Sequence, residues 1–119
     1  MKPGHDADQV YLSHMIGCID RVFQYCEDGE SSFRNSQLIQ DAVIRNLQTM
    51  AESSQRLSEH AKSLATQVPW RAIAGFRNII VHDYLGVDLD MVWQVVSTDL
   101  PTLQVGLLTI NLALGSDSP

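Results

Sequence analysis

An all-α domain, a four- to five-helix antiparallel bundle, is the fold class this sequence predicts. Apolar residues recur at three- and four-residue spacing along nearly the whole chain, the signature of helices with one buried face. Gly, Pro and Ser-rich breaks separate those stretches by short connections, which favours antiparallel neighbours. The length of 119 residues, with 45% hydrophobic and 18% charged residues, suits one globular domain. Residues 1–119 are therefore read as a single helical domain with an ordered core over about 8–113.

The first helix is carried by Leu12, Met15, Ile16, Ile19, Val22, Phe23 and Cys26. Asp6 or Asp8 is positioned to cap it, Gly29 lies just past its end, and the polar run EDGESS follows as a loop. Ser36 opens the next stretch, whose apolar positions are Ile39, Ala42, Val43, Leu47, Met50, Leu57, Ala61 and Leu64. This is either one long helix or two pieces broken near Ser53 and Ser54, where paired serines weaken helix propensity. Pro69 suits the first turn of a further helix that continues through Trp70, Ile73, Phe76 or Arg77, Ile80 and Val81. Gly75 inside that helix costs about 1 kcal/mol relative to Ala, which suggests another backbone passing close by.

Gly86 then stops the helix and Asp88 caps the next one, which carries Leu89, Val92, Trp93 and Val96. Leu100, Leu103, Leu107, Leu108 and Leu112 extend the pattern, and Pro101 either kinks the helix or starts a new one. GSDSP is expected to fray. Val92, Val95, Val96, Leu100, Leu103, Val105, Leu107 and Leu108 cover more than one face of this last stretch. Such a helix is either central to its own bundle or shared with a second copy of the chain in a symmetric dimer.

Charge and cysteines narrow the function. The net charge is −6, with eight Lys and Arg, so tight nonspecific binding to long nucleic acid is not expected. A cleavage site, which needs only a few well-placed cations, is compatible with that balance. Cys18 and Cys26 are about two helical turns apart, roughly 11 to 12 Å, too far for a disulfide. They read as small buried hydrophobes in a reducing compartment. No Cys/His spacing suits zinc, and neither a metal nor a cofactor is expected. With no apolar signal core at the start and no run long enough to span a bilayer, a cytoplasmic protein without membrane contact is the expectation.

RNIIVHDY, residues 77–84, holds the groups suited to chemistry. Arg77 can grip a phosphate bidentately and stabilise developing charge. His82 can move protons near neutral pH. Asn78, four residues before His82, can hydrogen-bond it or a substrate oxygen; Asp83 lies beside it, and Tyr84 offers a hydroxyl and a stacking face. By spacing alone, the same residues are also an ordinary helix end with a surface cation and a satisfied imidazole. RNA cleavage without a metal uses the ribose 2′-OH as nucleophile and needs a base, an acid and a cation. One chain supplies a single such histidine, so two copies facing each other would complete the set. His14 is either structural or a residue of the cleft, Glu52 with Arg56 or His60 reads as a solvated helix face, and Asp88 and Asp90 read as helix-start residues.

The spacing of Arg77, Asn78, His82 and Tyr84 resembles the hallmark of the HepT-like branch of the HEPN superfamily: Arg, four residues, His, one residue, Tyr, with Asn after the Arg. DAVIRNL (Asp41 to Leu47), Pro69–Trp70, Val92–Trp93 and Leu100–Pro101 are similar to the surrounding pattern, so the likeness runs from about Val10 to Leu112. TMAESS, from Thr49 to Ser54, departs from a Gly-containing family run: Glu52 is present but Ala51 replaces the Gly, and no role is carried over to Glu52. The resemblance implies a HEPN-like homodimer with Arg77 and His82 of both chains at an interface cleft, acting as a metal-independent endoribonuclease toxin on RNA. It also implies a cognate minimal nucleotidyltransferase antitoxin that transfers AMP to Tyr84. An alternative is a non-catalytic nucleotide-binding or substrate-presenting partner subunit of a nucleotidyltransferase, and a third reading is a purely structural dimerisation bundle.

Overall fold

α1, His5–Tyr25, runs antiparallel along α3, Gln37–Arg56, in the computed structural model, which describes residues 5–78 and 88–116. Side-chain pairs give the register: His14 meets Ser53 and Arg21 meets Asn46, so later positions of one helix face earlier positions of the other. The predicted apolar stripe of α1 is the one that is buried, with Leu12, Met15, Cys18, Ile19 and Val22 almost fully removed from solvent. Opposite it lie Val43, Leu47, Met50 and Ala51 of α3. Burying each of the large side chains contributes about 1.5–3 kcal/mol.

Every described element is helical, as predicted, and the boundaries shift in instructive places. EDGESS is not wholly loop, because α2, Glu30–Arg34, begins within it. Gly29 adopts φ 97°, a conformation that glycine reaches without a Cβ penalty, and this lets the chain turn directly from α1 into α2. α2 is too short to persist alone. It is held by Phe33, fully buried and tilted against Trp93 at 5.4 Å, and by Arg34, which pairs with Glu30 and with Asp90 across the bundle.

The second stretch is two helices, but the break is not at Ser53 and Ser54. Both serines are buried inside α3; Ser54 donates to the Ala51 carbonyl at 2.7 Å, so neither hydroxyl competes for a turn. The break falls at Leu57 and Ser58, before α4, Glu59–Ser63. Ser58 caps α4 by accepting from Ala61 N–H at 3.0 Å. Asp8 anchors that cap: its carboxylate accepts from Ser58 N–H at 2.8 Å and from the Ser58 hydroxyl at 2.6 Å. Asp8 therefore does not cap α1, which already starts at His5.

α5, Trp70–Ala74, follows Pro69. Trp70 secures it by donating its indole N–H to the carbonyls of Lys62 and Ala65. The helix does not continue as predicted: at Gly75 it tightens into a 3₁₀ turn over residues 75–78. Gly75 is exposed, and a Cβ there would meet nothing within 4 Å among the described residues, so the close approach expected of it is not seen. The close approach occurs at Gly106, where a Cβ would run into the Val68 side chain.

Asp88 caps α6, Leu89–Gln94, accepting from Met91 N–H at 3.1 Å. A π-helical turn, Val95–Asp99, leads straight into α7, Leu100–Ser116. Pro101 thus sits in the first turn of α7, a position where a missing N–H costs little, and helix follows helix there without an intervening loop. Gly115 and Ser116, expected to fray, still belong to α7. Leu100, Leu103, Leu107, Ile110 and Leu114 face the core, whereas Val105, Leu108 and Leu112 are exposed at 61%, 46% and 73%. Part of the apolar surplus of this helix is therefore exposed among the described residues.

Candidate functional site

Arg77 and Asn78 lie in the 3₁₀ turn that follows α5, both exposed. The local sequence explains why: Ile73 and Phe76 are buried and anchor this segment, so the residues after Phe76 face outward. His82, Asp83 and Tyr84, the other residues predicted for the site, lie outside the described residues, as do Ile80, Val81 and Gly86.

The Arg77 side chain is not left to wander. Its Nε lies 3.1 Å from Glu52 Oε1, and its Nη1 donates to Gln55 Oε1 at 3.2 Å. Glu52 and Gln55 are three residues apart on α3, hence on neighbouring turns of one face. Arg77 is 47% exposed at its side chain and Glu52 45%. An ion pair so open to water contributes about 0–1 kcal/mol to stability. Among the described residues nothing else covers the cation, which leaves it open to an external anion.

Glu52 is consequently not just a solvated helix face paired with Arg56 or His60; its ion partner is the predicted phosphate-binding arginine. Sequence reasoning missed Gln55 altogether. The signal for Gln55 was its 52/55 spacing from Glu52 opposite an arginine, and that becomes legible once α3 and α5 are known to pack together.

His14 goes elsewhere. Its Nδ1 is 2.7 Å from Ser53 Oγ, on a flank of α3 about 100° around the helix from Glu52. The described residues thus bring together Arg77, Glu52 and Gln55, and leave His14 outside that group. Asp88 and Asp90 serve helix α6, one as its cap and the other as the partner of Arg34. Among the described residues no group of three His, Cys, Asp or Glu side chains is placed to hold a metal ion, and no helix is long and apolar enough to cross a membrane. Cys18 and Cys26 are free thiols, as their spacing predicted. Burial pushes both thiols up, at Cys18 against the opposing pull of Arg21, so they are poor nucleophiles.

Comparison with known proteins adds the family context. Residues 15–110 match the model of the family described as ribonuclease HepT-like. The chain is 34% identical over 103 residues to a Methanocaldococcus jannaschii protein whose name joins gamma-glutamylcyclotransferase to a candidate RNase; the match covers 86% of this chain and 46% of that protein. It is 38% identical over 95 residues to the protein of Thermococcus cleftensis named probable ribonuclease HepT, covering 79% of this chain and 86% of the relative. It is also 32% identical to the Shewanella oneidensis protein named mRNA nuclease HepT, covering 70% of this chain and 80% of that one. The chain therefore spans less than half of the first of these relatives and most of the other two. No solved structure matches the chain significantly.

Proposed function

The chain belongs to the HepT-like ribonuclease family, and from that premise we propose that it is a metal-independent endoribonuclease, the toxin of a toxin–antitoxin pair, with Arg77 and His82 at its reacting centre. Arg77 is the phosphate clamp. Its fork binds a non-bridging oxygen pair of the RNA backbone and neutralises the charge that builds as phosphorus becomes five-coordinate. His82 is the proton carrier. As base it takes the proton of the ribose 2′-OH, whose oxygen attacks the adjacent phosphorus; as acid, a histidine returns a proton to the departing 5′-oxygen. The products are a 2′,3′-cyclic phosphate and a 5′-hydroxyl, so no water or metal is consumed in the step. Asn78 and Asp83 support the imidazole and the substrate.

The observation that carries this reading is the exposed, oriented guanidinium of Arg77 within the family-matched segment. A second histidine comes from a second copy of the chain, and the exposed Val105, Leu108 and Leu112 stripe of α7 is consistent with such pairing. Tyr84 is the regulatory residue: a cognate nucleotidyltransferase transfers AMP to its hydroxyl and silences the site.

Incubating the purified chain with RNA in EDTA tests the chemistry. Cleavage is expected, with cyclic-phosphate ends, and His82→Ala is expected to abolish it while leaving the helical circular-dichroism signal intact. Full activity in that variant would remove His82 from the mechanism. Intact RNA together with a nucleotide-dependent rise in Tm would instead favour a non-catalytic subunit of a nucleotidyltransferase. Mass spectrometry after incubation with ATP and the partner enzyme should find AMP on Tyr84; AMP on another residue would overturn that assignment.

A further inference from the structure

We infer that Glu52 and Gln55 are positioning residues for Arg77, holding its guanidinium plane so that the remaining N–H groups meet the RNA phosphate already oriented; the inference rests on the ribonuclease reading above. An arginine has five N–H donors in a rigid planar fork. In the structure Nε faces Glu52 at 3.1 Å, and Nη1 donates to Gln55 at 3.2 Å. With one nitrogen in an ion pair and another in a hydrogen bond to two side chains of the same helix, rotation and flipping of the plane are restrained. Among the described residues Nη2 and the second proton of Nη1 meet no partner, which is enough for a two-point grip on a phosphate.

The arrangement is of little use for stability, because both charged partners are about half exposed. Its effect is on the readiness of the site. Arg77 stands in a 3₁₀ turn at the edge of the bundle, so without support from α3 it would have to be ordered at the moment of reaction. Immobilising one long side chain at that moment costs about two- to tenfold in an equilibrium or rate. α3 is a suitable support: Ala51, Ser53 and Ser54, the neighbours of Glu52, are buried in the core, so this part of the helix is rigid. The carboxylate is also the group that sets direction, since a charged acceptor holds an arginine more firmly than a neutral amide does.

The test is steady-state RNA cleavage by the full chain and its variants, together with NMR of the Arg77 Nε–Hε group. Glu52→Ala is expected to lower kcat about tenfold with KM changed less than twofold, because orientation matters most where charge develops. Glu52→Gln, which keeps an acceptor oxygen in place, should recover activity to within about threefold of wild type, and Gln55→Ala should cost about threefold. The wild-type Nε–Hε resonance should be resolved and slow to exchange, and it should broaden or disappear in Glu52→Ala. Unchanged kcat in Glu52→Ala, a loss confined to KM, or a gain in activity overturns the positioning role; a gain would mark Glu52 as a competitor of the phosphate. If the wild-type chain leaves RNA intact, the ribonuclease reading falls and the catalytic role falls with it, whereas the resonance still decides whether Glu52 and Gln55 hold the guanidinium.

Discussion

Asp8 and Arg77 each extend a charged side chain onto the stretch that contains α3 and the start of α4, and the two contacts could hardly differ more. Asp8 is 4% exposed, and both its oxygens are taken by Ser58, one by the backbone N–H and one by the hydroxyl. Arg77 is 47% exposed, and among the described residues its contacts with Glu52 and Gln55 leave three N–H groups over. A buried charge must be fully satisfied by the fold, because any unmet demand costs the full desolvation penalty. A charge at the surface can be oriented by the fold and still keep capacity for something else. The same kind of polar contact is thus a fastener in one place and a tool mount in the other.

Substitutions can separate these roles. Arg77→Ala is expected to have the largest effect of all, a loss of about 100-fold or more in RNA cleavage, with stability changed by less than about 1 kcal/mol. A chain that unfolds on losing Arg77 would make the guanidinium a fastener after all. Asp8→Ala should show the reverse pattern, losing about 2–3 kcal/mol in urea denaturation because Ser58 is left without its acceptor, while cleavage per folded molecule stays at the wild-type level. An Asp8 variant of full stability but reduced activity would break the contrast.

Two glycines sharpen the same contrast without any charge. Gly106→Ala should cost about 1–3 kcal/mol, since the new methyl collides with Val68, and Val68→Ala in the same chain should recover part of the loss. Gly75→Ala, at an exposed helix end with ordinary backbone angles, should raise stability by about 0.5 kcal/mol through the unfolded state. Denaturation midpoints of the three variants decide both; a large loss at Gly75 would mean that the turn leading to Arg77 is under constraint.

Much of this was legible in the sequence for a simple reason: periodicity records burial. The stripes Leu12–Met15–Ile19–Val22 and Val43–Leu47–Met50 are those the core uses. Caps were legible where the cap is local, as at Ser36 with Ile39 and Asp88 with Met91. Asp8 was misread as a local cap because its partner is Ser58, fifty residues away. Ser53 and Ser54 looked like a helix break because propensity cannot register that burial and a carbonyl contact have already satisfied their hydroxyls. α2 was hidden because a five-residue stretch with four polar residues is made helical by its one buried phenylalanine and one cross-bundle ion pair.

By itself the sequence determined the helical class, the buried stripes, the free cysteines and the motif beginning at Arg77 that carries the family resemblance. Each of these depends on residue type and short-range spacing, which the chain holds before it folds. The tertiary structure decided that Arg77 is oriented by Glu52 and Gln55, that His14 belongs to Ser53, that Gly106 rather than Gly75 is the point of close contact, and that Asp8 anchors α4. Those outcomes depend on which helix face meets which, and register between distant helices is set by packing of the whole core rather than by any local run of residues.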